Sequence, residues 1–217
     1  MLTKITALAA MLGISLSTHL ANAQDLREAK KDRPIEVVGI GGVGFTGDVG
    51  VSSETQGGNV SFDGAPVYGA QLGFRAQRHG YAYLTYSRMV TTAYFRPSGG
   101  FETSGQADVS FDYLQAGGNL EAPHGRVVPY LGLSIGATRI APVNGSGNDF
   151  SFSAVLDGGV KIMLTDFLDV RVIGRMPVSF VTGDSSALCL GGLGCAFYYS
   201  GQALLQGQAL LGVGIHL

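Results

Sequence analysis

The sequence predicts an all-β fold: an eight-stranded antiparallel up-and-down transmembrane β-barrel. Three observations predict it. Glycine fills 34 of 217 positions and charged residues only 14%, against a usual charged share of about 25%, while mean hydropathy is positive at +0.25. Beyond the N-terminal region, no apolar run approaches the ~18 residues a spanning helix needs. Eight runs rich in Val, Leu, Ile, Phe and Tyr are separated by connections that alternate between short and long. An ordinary soluble domain, a helical membrane protein and a disordered chain are all poor fits to these numbers. A net charge of −2 supplies no basic surplus for nucleic acid.

The chain opens on an address. Lys4 gives a positive start, Ile5 to Leu16 an apolar stretch too short to span, and Ala21-Asn22-Ala23 an A-x-A cleavage site. Residues 1–23 are therefore expected to be a cleaved secretory signal. Residues 24–34, dense in charge, are expected to form a short solvated periplasmic segment. Residues 35–217 are expected to form one barrel domain.

The runs fall at 35–47, 66–78, 81–93, 108–121, 127–140, 150–164, 168–181 and 199–217. His79-Gly80, Ala122 to Arg126 and Thr165 to Phe167 make the short connections. The long ones are 48–65, 94–107, 141–149 and 182–198. In an up-and-down barrel, odd connections lie at one end and even ones at the other. Every long loop then shares one end, as in outer-membrane barrels with short periplasmic turns and long extracellular loops. Runs of this length suit strands that cross a bilayer with about 9–11 tilted residues.

Alternation assigns the faces. In the sixth run Phe150, Phe152, Ala154, Leu156, Val160 and Ile162 oppose Ser151, Ser153, Asp157 and Lys161. In the seventh, Leu168, Val170, Val172 and Met176 oppose Asp169, Arg171 and Arg175. In the last, Leu205, Leu211, Val213 and Ile215 oppose Gln206, Gln208 and His216. In the second, Tyr68, Leu72 and Phe74 oppose Gln71 and Arg75. Alternation alone does not choose between a membrane barrel and a soluble one turned inside out. The low charge content, the signal and the loop pattern favour the membrane. Arg171, Arg175 or Lys161 facing lipid at mid-membrane would cost about 2–4 kcal/mol each, so the charged face is expected to be the lumen.

An eight-stranded interior is just wide enough for side chains to fill, and charges buried there need partners. Asp157, Lys161, Arg171 and Arg175 fall on adjacent strands and are expected to form a network. Glu36, Arg75 and Glu121 are candidates from other strands. Inward glycines (Gly69, Gly73, Gly117, Gly132, Gly136, Gly159, Gly212, Gly214) would make room for long Arg arms. In the first run an inward Glu36 also turns Val38 and Ile40 inward, which leaves room for a β-bulge. Aromatics near run ends, among them Tyr81, Tyr83, Tyr94, Phe95, Phe167, Phe180, Tyr198 and Tyr199, suggest an interfacial girdle.

Cys189 and Cys195 are the only cysteines and flank a Gly-rich stretch. In an exported chain they are expected to close a small loop by a disulfide, worth about 2 kcal/mol in the chain-entropy model. Two thiols do not make a metal site, and no cofactor is expected.

The segments Pro129-Tyr130-Leu131-Gly132-Leu133 and Leu210-Leu211-Gly212-Val213-Gly214-Ile215-His216-Leu217, in this order and position, resemble the small outer-membrane β-barrel superfamily of OmpA/OmpX-like proteins. The resemblance spans residues 35–217. It implies a bacterial outer-membrane location, contact with outer-membrane lipid and lipopolysaccharide, and insertion by the barrel-assembly machinery. Members usually end on an aromatic residue; Leu217 stands there in this chain.

Other motifs carry little. Gly39-Ile40-Gly41-Gly42-Val43-Gly44 matches a dinucleotide fingerprint, but Phe45-Thr46-Gly47-Asp48-Val49-Gly50 does not continue as the helix that motif requires. Gly183-Asp184-Ser185 has no nearby His to serve as base. Asn59-Val60-Ser61 and Asn144-Gly145-Ser146 read as loop residues. His79, His124 and His216 all fall at the short-turn end, away from outer-leaflet lipid, which argues against a lipid A-modifying enzyme. The expected role is structural or surface-interacting, through the long loops, in a monomer without catalysis. Phe62, Phe101 and Phe197 are candidate loop anchors for an extracellular ligand or partner. A narrow porin-like channel is the alternative; a lipid-modifying enzyme and a secreted soluble barrel rank below it.

Overall fold

The computed structural model describes residues 33–47, 49–52, 57–77, 79–98, 105–144, 148–180, 189–190, 194–195 and 203–217. The expected signal (1–23), most of the charged segment after it, the GDS motif at 183–185, Phe101 and Phe197 lie outside them.

All the described secondary structure is strand. In chain order these are β1 (Ile35–Thr46), β2 (Val49–Ser52), β3 (Gly57–Phe62), β4 (Ala65–Gln77), β5 (Gly80–Ser98), β6 (Gly105–Glu121), β7 (Val127–Pro142), β8 (Asp149–Met163), β9 (Leu168–Phe180), β10 (Cys189–Leu190), β11 (Gly194–Cys195) and β12 (Ala203–His216). Eight of them, β1, β4, β5, β6, β7, β8, β9 and β12, pair antiparallel in succession, and β12 returns to β1. The barrel is closed, so its wall has no free edge.

The short connections after β4, β6 and β8 sit at one end. His124 and Val127 form a bridge across the second, with Gly125 at φ 65° in the left-handed region that glycine tolerates. The other end holds the long connections. The first of these is a hairpin, not a plain loop: β2 pairs with β3, and β3 pairs with the upper part of β5, Gly57 opposite Ser98 through Phe62 opposite Ala93. This extension also explains why β5 and β6 run beyond the run ends read from the sequence. Polar residues hid the hairpin, because its stability comes from pairing onto β5 and not from an apolar face of its own.

The strands are amphipathic in the inverted sense. Leu131, Leu133, Ile135, Leu211 and Val213 face outward and are more than half exposed. Glu36, Lys161, Asp169, Arg171 and His216 face inward and are 2% exposed or less. A band of exposed aliphatic side chains this continuous marks a surface that meets something other than water. Strand β1 is regular: its register to β12 runs unbroken from Glu36 to Thr46. No bulge is needed, because Val38 and Ile40 pack in the lumen against other apolar residues. Tyr81 and Tyr83, read from the sequence as girdle residues, instead point inward and are buried, since both carry a hydroxyl that lumen groups can engage. Phe167 and Phe180 do lie on the outside.

Candidate functional site in the barrel lumen

The lumen is layered. At the short-turn end, Glu36 of β1 is fully buried. Arg171 of β9 reaches it with two nitrogens, Nη1 to Oε1 at 3.1 Å and Nη2 to Oε2 at 2.9 Å. Lys161 of β8 donates to Glu36 Oε2 at 3.2 Å and to Glu121 Oε1 of β6 at 2.6 Å. Arg171 also donates to Asp169, Nε to Oδ1 at 2.6 Å and Nη2 to Oδ2 at 2.9 Å. His216 Nε2 lies 2.6 Å from Asp169 Oδ2. Five strands are thereby tied across the barrel axis. The charges are mutually satisfied, which is the condition under which buried ions are tolerated.

Aromatic rings complete this layer. Lys161 Nζ lies 4.8 Å from the Tyr81 ring centroid and 5.3 Å from that of Tyr130. Glycine makes space for the carboxylates: a Cβ at Gly73 would meet Glu36, one at Gly132 would meet Asp157, and one at Gly214 would meet Asp169 and Arg171.

The middle layer is amide and hydroxyl. Tyr83 donates to Asp157 Oδ1 at 2.5 Å, Gln115 Nε2 to Ser153 Oγ at 2.6 Å, and Ser179 Oγ to Thr138 Oγ1 at 3.0 Å. Tyr113 donates to Gln206 Oε1. Toward the long-connection end the lumen is apolar, with Val67, Met89, Val109, Phe111, Ile140 and Leu204 in one cluster. Phe62 of β3 stands edge-on to Phe111 at 6.0 Å between centroids, so it caps the lumen instead of projecting as an anchor.

Of the residues expected to form a network, the structure joins Lys161, Arg171, Glu36 and Glu121. Arg75 turns aside to Tyr81, donating to its hydroxyl at 2.8 Å. Asp157 takes the Tyr83 hydroxyl, and Arg175 stands opposite it in the β8–β9 register with its Nε unpartnered. Asp169 and His216 were visible on the polar faces of their runs but not picked as network members. The backbone register sets Cys189 opposite Cys195 across β10 and β11; their side chains lie outside what is described.

Among the described residues no cluster of His, Cys, Asp and Glu has the makings of a metal site. No known family's sequence profile matches the chain, and no curated protein does. Solved structures do. Over 84% of this chain and 97% of the other, it superimposes on neisserial surface protein A with a TM-score of 0.52 at 14% identity. Over 85% and 97%, it superimposes on the outer membrane protein OprG from Pseudomonas aeruginosa with a TM-score of 0.58 at 13% identity. The fold is that of the small outer-membrane β-barrels. In such a barrel the exposed aliphatic band is the lipid-facing wall and the Glu36 layer is the interior.

Proposed function

We propose that this chain is an exported outer-membrane protein with a closed lumen, acting non-enzymatically as a structural or surface-interaction barrel through its long-connection end. The observation that carries this reading is the buried Glu36–Lys161–Arg171 contact, which ties β1, β8 and β9 together across the axis at the short-turn end. The apolar cluster around Met89 and Phe111 blocks the other end of the lumen. An ion crossing the barrel would have to displace both. Contacts with lipopolysaccharide and the insertion machinery follow from the location and belong to the same proposal.

Single-channel recording in planar bilayers tests it, using protein whose insertion is verified by a heat-dependent gel shift. The expected result is no steady current across many insertions. Reproducible unit conductance would replace this reading with that of a narrow channel. Recovery of the protein from the soluble periplasmic fraction would overturn the membrane location.

A further inference from the structure

Followed from partner to partner once around the wall, the ladder that leaves β1 at Val37 returns to it at Gly47, ten residues higher. Residues at one height are therefore offset by roughly one and a quarter positions from strand to strand. By that stagger, Ser87 of β5, Gln115 of β6, Arg175 of β9 and Gln208 of β12 share one level inside the lumen, at mid-height. Gly42 of β1, Gly69 of β4, Gly136 of β7 and Val155 of β8 complete the ring. It lies between the Glu36 layer and the apolar cluster around Met89 and Phe111.

Three positions of this ring carry no side chain, and backbone keeps them so. A Cβ at Gly42 would approach Leu210 Cα to 2.7 Å, one at Gly69 the Ser87 Cα to 2.7 Å, and one at Gly136 the Gln115 Cα to 2.9 Å. An eight-stranded interior is just wide enough for side chains to fill; a ring with three glycines and a serine leaves room. Arg175 keeps 7% of its surface exposed inside a lumen blocked at both ends, so space on the scale of a water molecule lies beside it.

The polar side chains of the ring find little in the protein to bond. Ser87 Oγ, Gln115 Oε1, Arg175 Nε and both polar atoms of the Gln208 amide are unpartnered, as is Nε2 of Gln206, one inward position higher on β12. All five residues are buried, and buried polar atoms are nearly always partnered. The set mixes donors (the Arg175 and amide nitrogens) with acceptors (the amide oxygens), and a hydroxyl serves as either. Asp157 stands opposite Arg175 in the β8–β9 register, which leaves no surplus charge at this level to hold an ion. The small molecule that donates, accepts and carries no charge is water.

We propose that this ring encloses a cluster of at least about two buried waters, since six unpartnered atoms surround it and a buried water makes about three bonds. The waters hydrate the Arg175 guanidinium, which is thereby tolerated in the lumen without the carboxylate grip that Arg171 has. The proposal rests on the closed-lumen reading.

The test is water-to-amide cross-relaxation in the full barrel, perdeuterated, labelled with nitrogen-15 and folded in deuterated detergent micelles. The side-chain amide protons of Gln206 and Gln208 are expected to show water cross-peaks of opposite sign in NOE and ROE spectra, the mark of held water as distinct from proton exchange. Gln77, exposed at the short-turn end, reports bulk water for comparison. Ser87→Leu fills the ring from β5 and is expected to weaken the Gln208 cross-peaks severalfold; Gln208→Leu, read at Gln206, takes its place if the first fails to give the compact gel form. Spectra of barrel folded in sodium chloride and in sodium gluconate should agree. Absence of cross-peaks at Gln206 and Gln208, or no effect of filling the ring, overturns the proposal. Water cross-peaks that disappear in chloride would give the ring to an anion and overturn it too. Signals with the Gln77 pattern would show the ring wet but open to solvent, which overturns the closed lumen and leaves the hydration of the ring standing.

Discussion

Arg171 grips Glu36 with both terminal nitrogens, at 3.1 and 2.9 Å, though the two lie 135 residues apart in the chain. The contact reaches inside the barrel from β9 to β1, past β12, which pairs with both. It has the two-pronged geometry in which guanidinium outperforms ammonium. Its partners at the same level are Lys161 and Asp169.

Removing the carboxylate should therefore be costly. Glu36→Ala leaves Lys161 and Arg171 buried with one partner fewer, and breaking a buried pair costs about 3–5 kcal/mol. The expected outcome is a lower urea midpoint for the barrel folded into vesicles, and loss of the compact gel form at a lower temperature. Arg171→Lys keeps the charge but not the fork, and should fall between wild type and Glu36→Ala.

Two glycines of β1 should behave differently although only three residues apart. A Cβ at Gly42 would strike the Ala209 carbonyl oxygen and approach Leu210 Cα to 2.7 Å; one at Gly39 would meet nothing within 4 Å. The obstacle at Gly42 is backbone, which does not swing aside. Gly42→Ala is expected to destabilise by about 1–3 kcal/mol, as overpacking does. Gly39→Ala should stay within about 0.5 kcal/mol. Parallel urea titrations of the two variants check the contrast.

These cases show which parts were legible in the sequence. Strand positions followed from alternation and turn residues, because a closed barrel must expose one face and bury the other along its whole length. Asp157, Lys161, Arg171 and Arg175 were correctly placed on the inner face for the same reason. Their pairing was not legible. Which inward charge meets which depends on stagger around the barrel, and stagger is set by eight registers at once. Glu36 is the hub because its strand sits beside β12 and β4, a closure that no local pattern encodes. Tyr81 and Tyr83 were misread as girdle residues because a tyrosine at a strand end suits an interface and a polar lumen equally well.

The cysteines provide a covalent test at the long-connection end. The register sets Cys189 opposite Cys195, and Leu190 opposite Gly194. The proposed export through an oxidising compartment would favour their union. Protein from the outer membrane, denatured without reductant, is expected to resist alkylation. Reduction should then admit two alkyl groups, read as a mass increase on the intact chain. Alkylation without reductant would show the thiols to be free.

Among the described residues, the outer wall carries a charged cluster toward the long-connection end, where the edge of the hydrocarbon is expected. Arg88 Nε lies 3.6 Å from Asp112 Oδ1, Arg139 Nη1 lies 3.9 Å from Asp112 Oδ2, and Tyr86 donates to Asp112 at 2.9 Å. All four residues face outward, toward the long-connection end. Leu133 faces outward on the same strand as Arg139, six residues nearer the short turns, about 15 Å deeper along a tilted strand. Arginine at mid-membrane costs about 2–4 kcal/mol, whereas near the interface the cost falls to about 0–1. Leu133→Arg should therefore lower the folding free energy into lipid vesicles by about 2–4 kcal/mol. Arg139→Leu, which removes a long and half-exposed ion pair, should change it by about 1 kcal/mol or less. Reversible urea titration into vesicles measures both. Equal tolerance of the two substitutions would place Leu133 in water and contradict a lipid-facing wall.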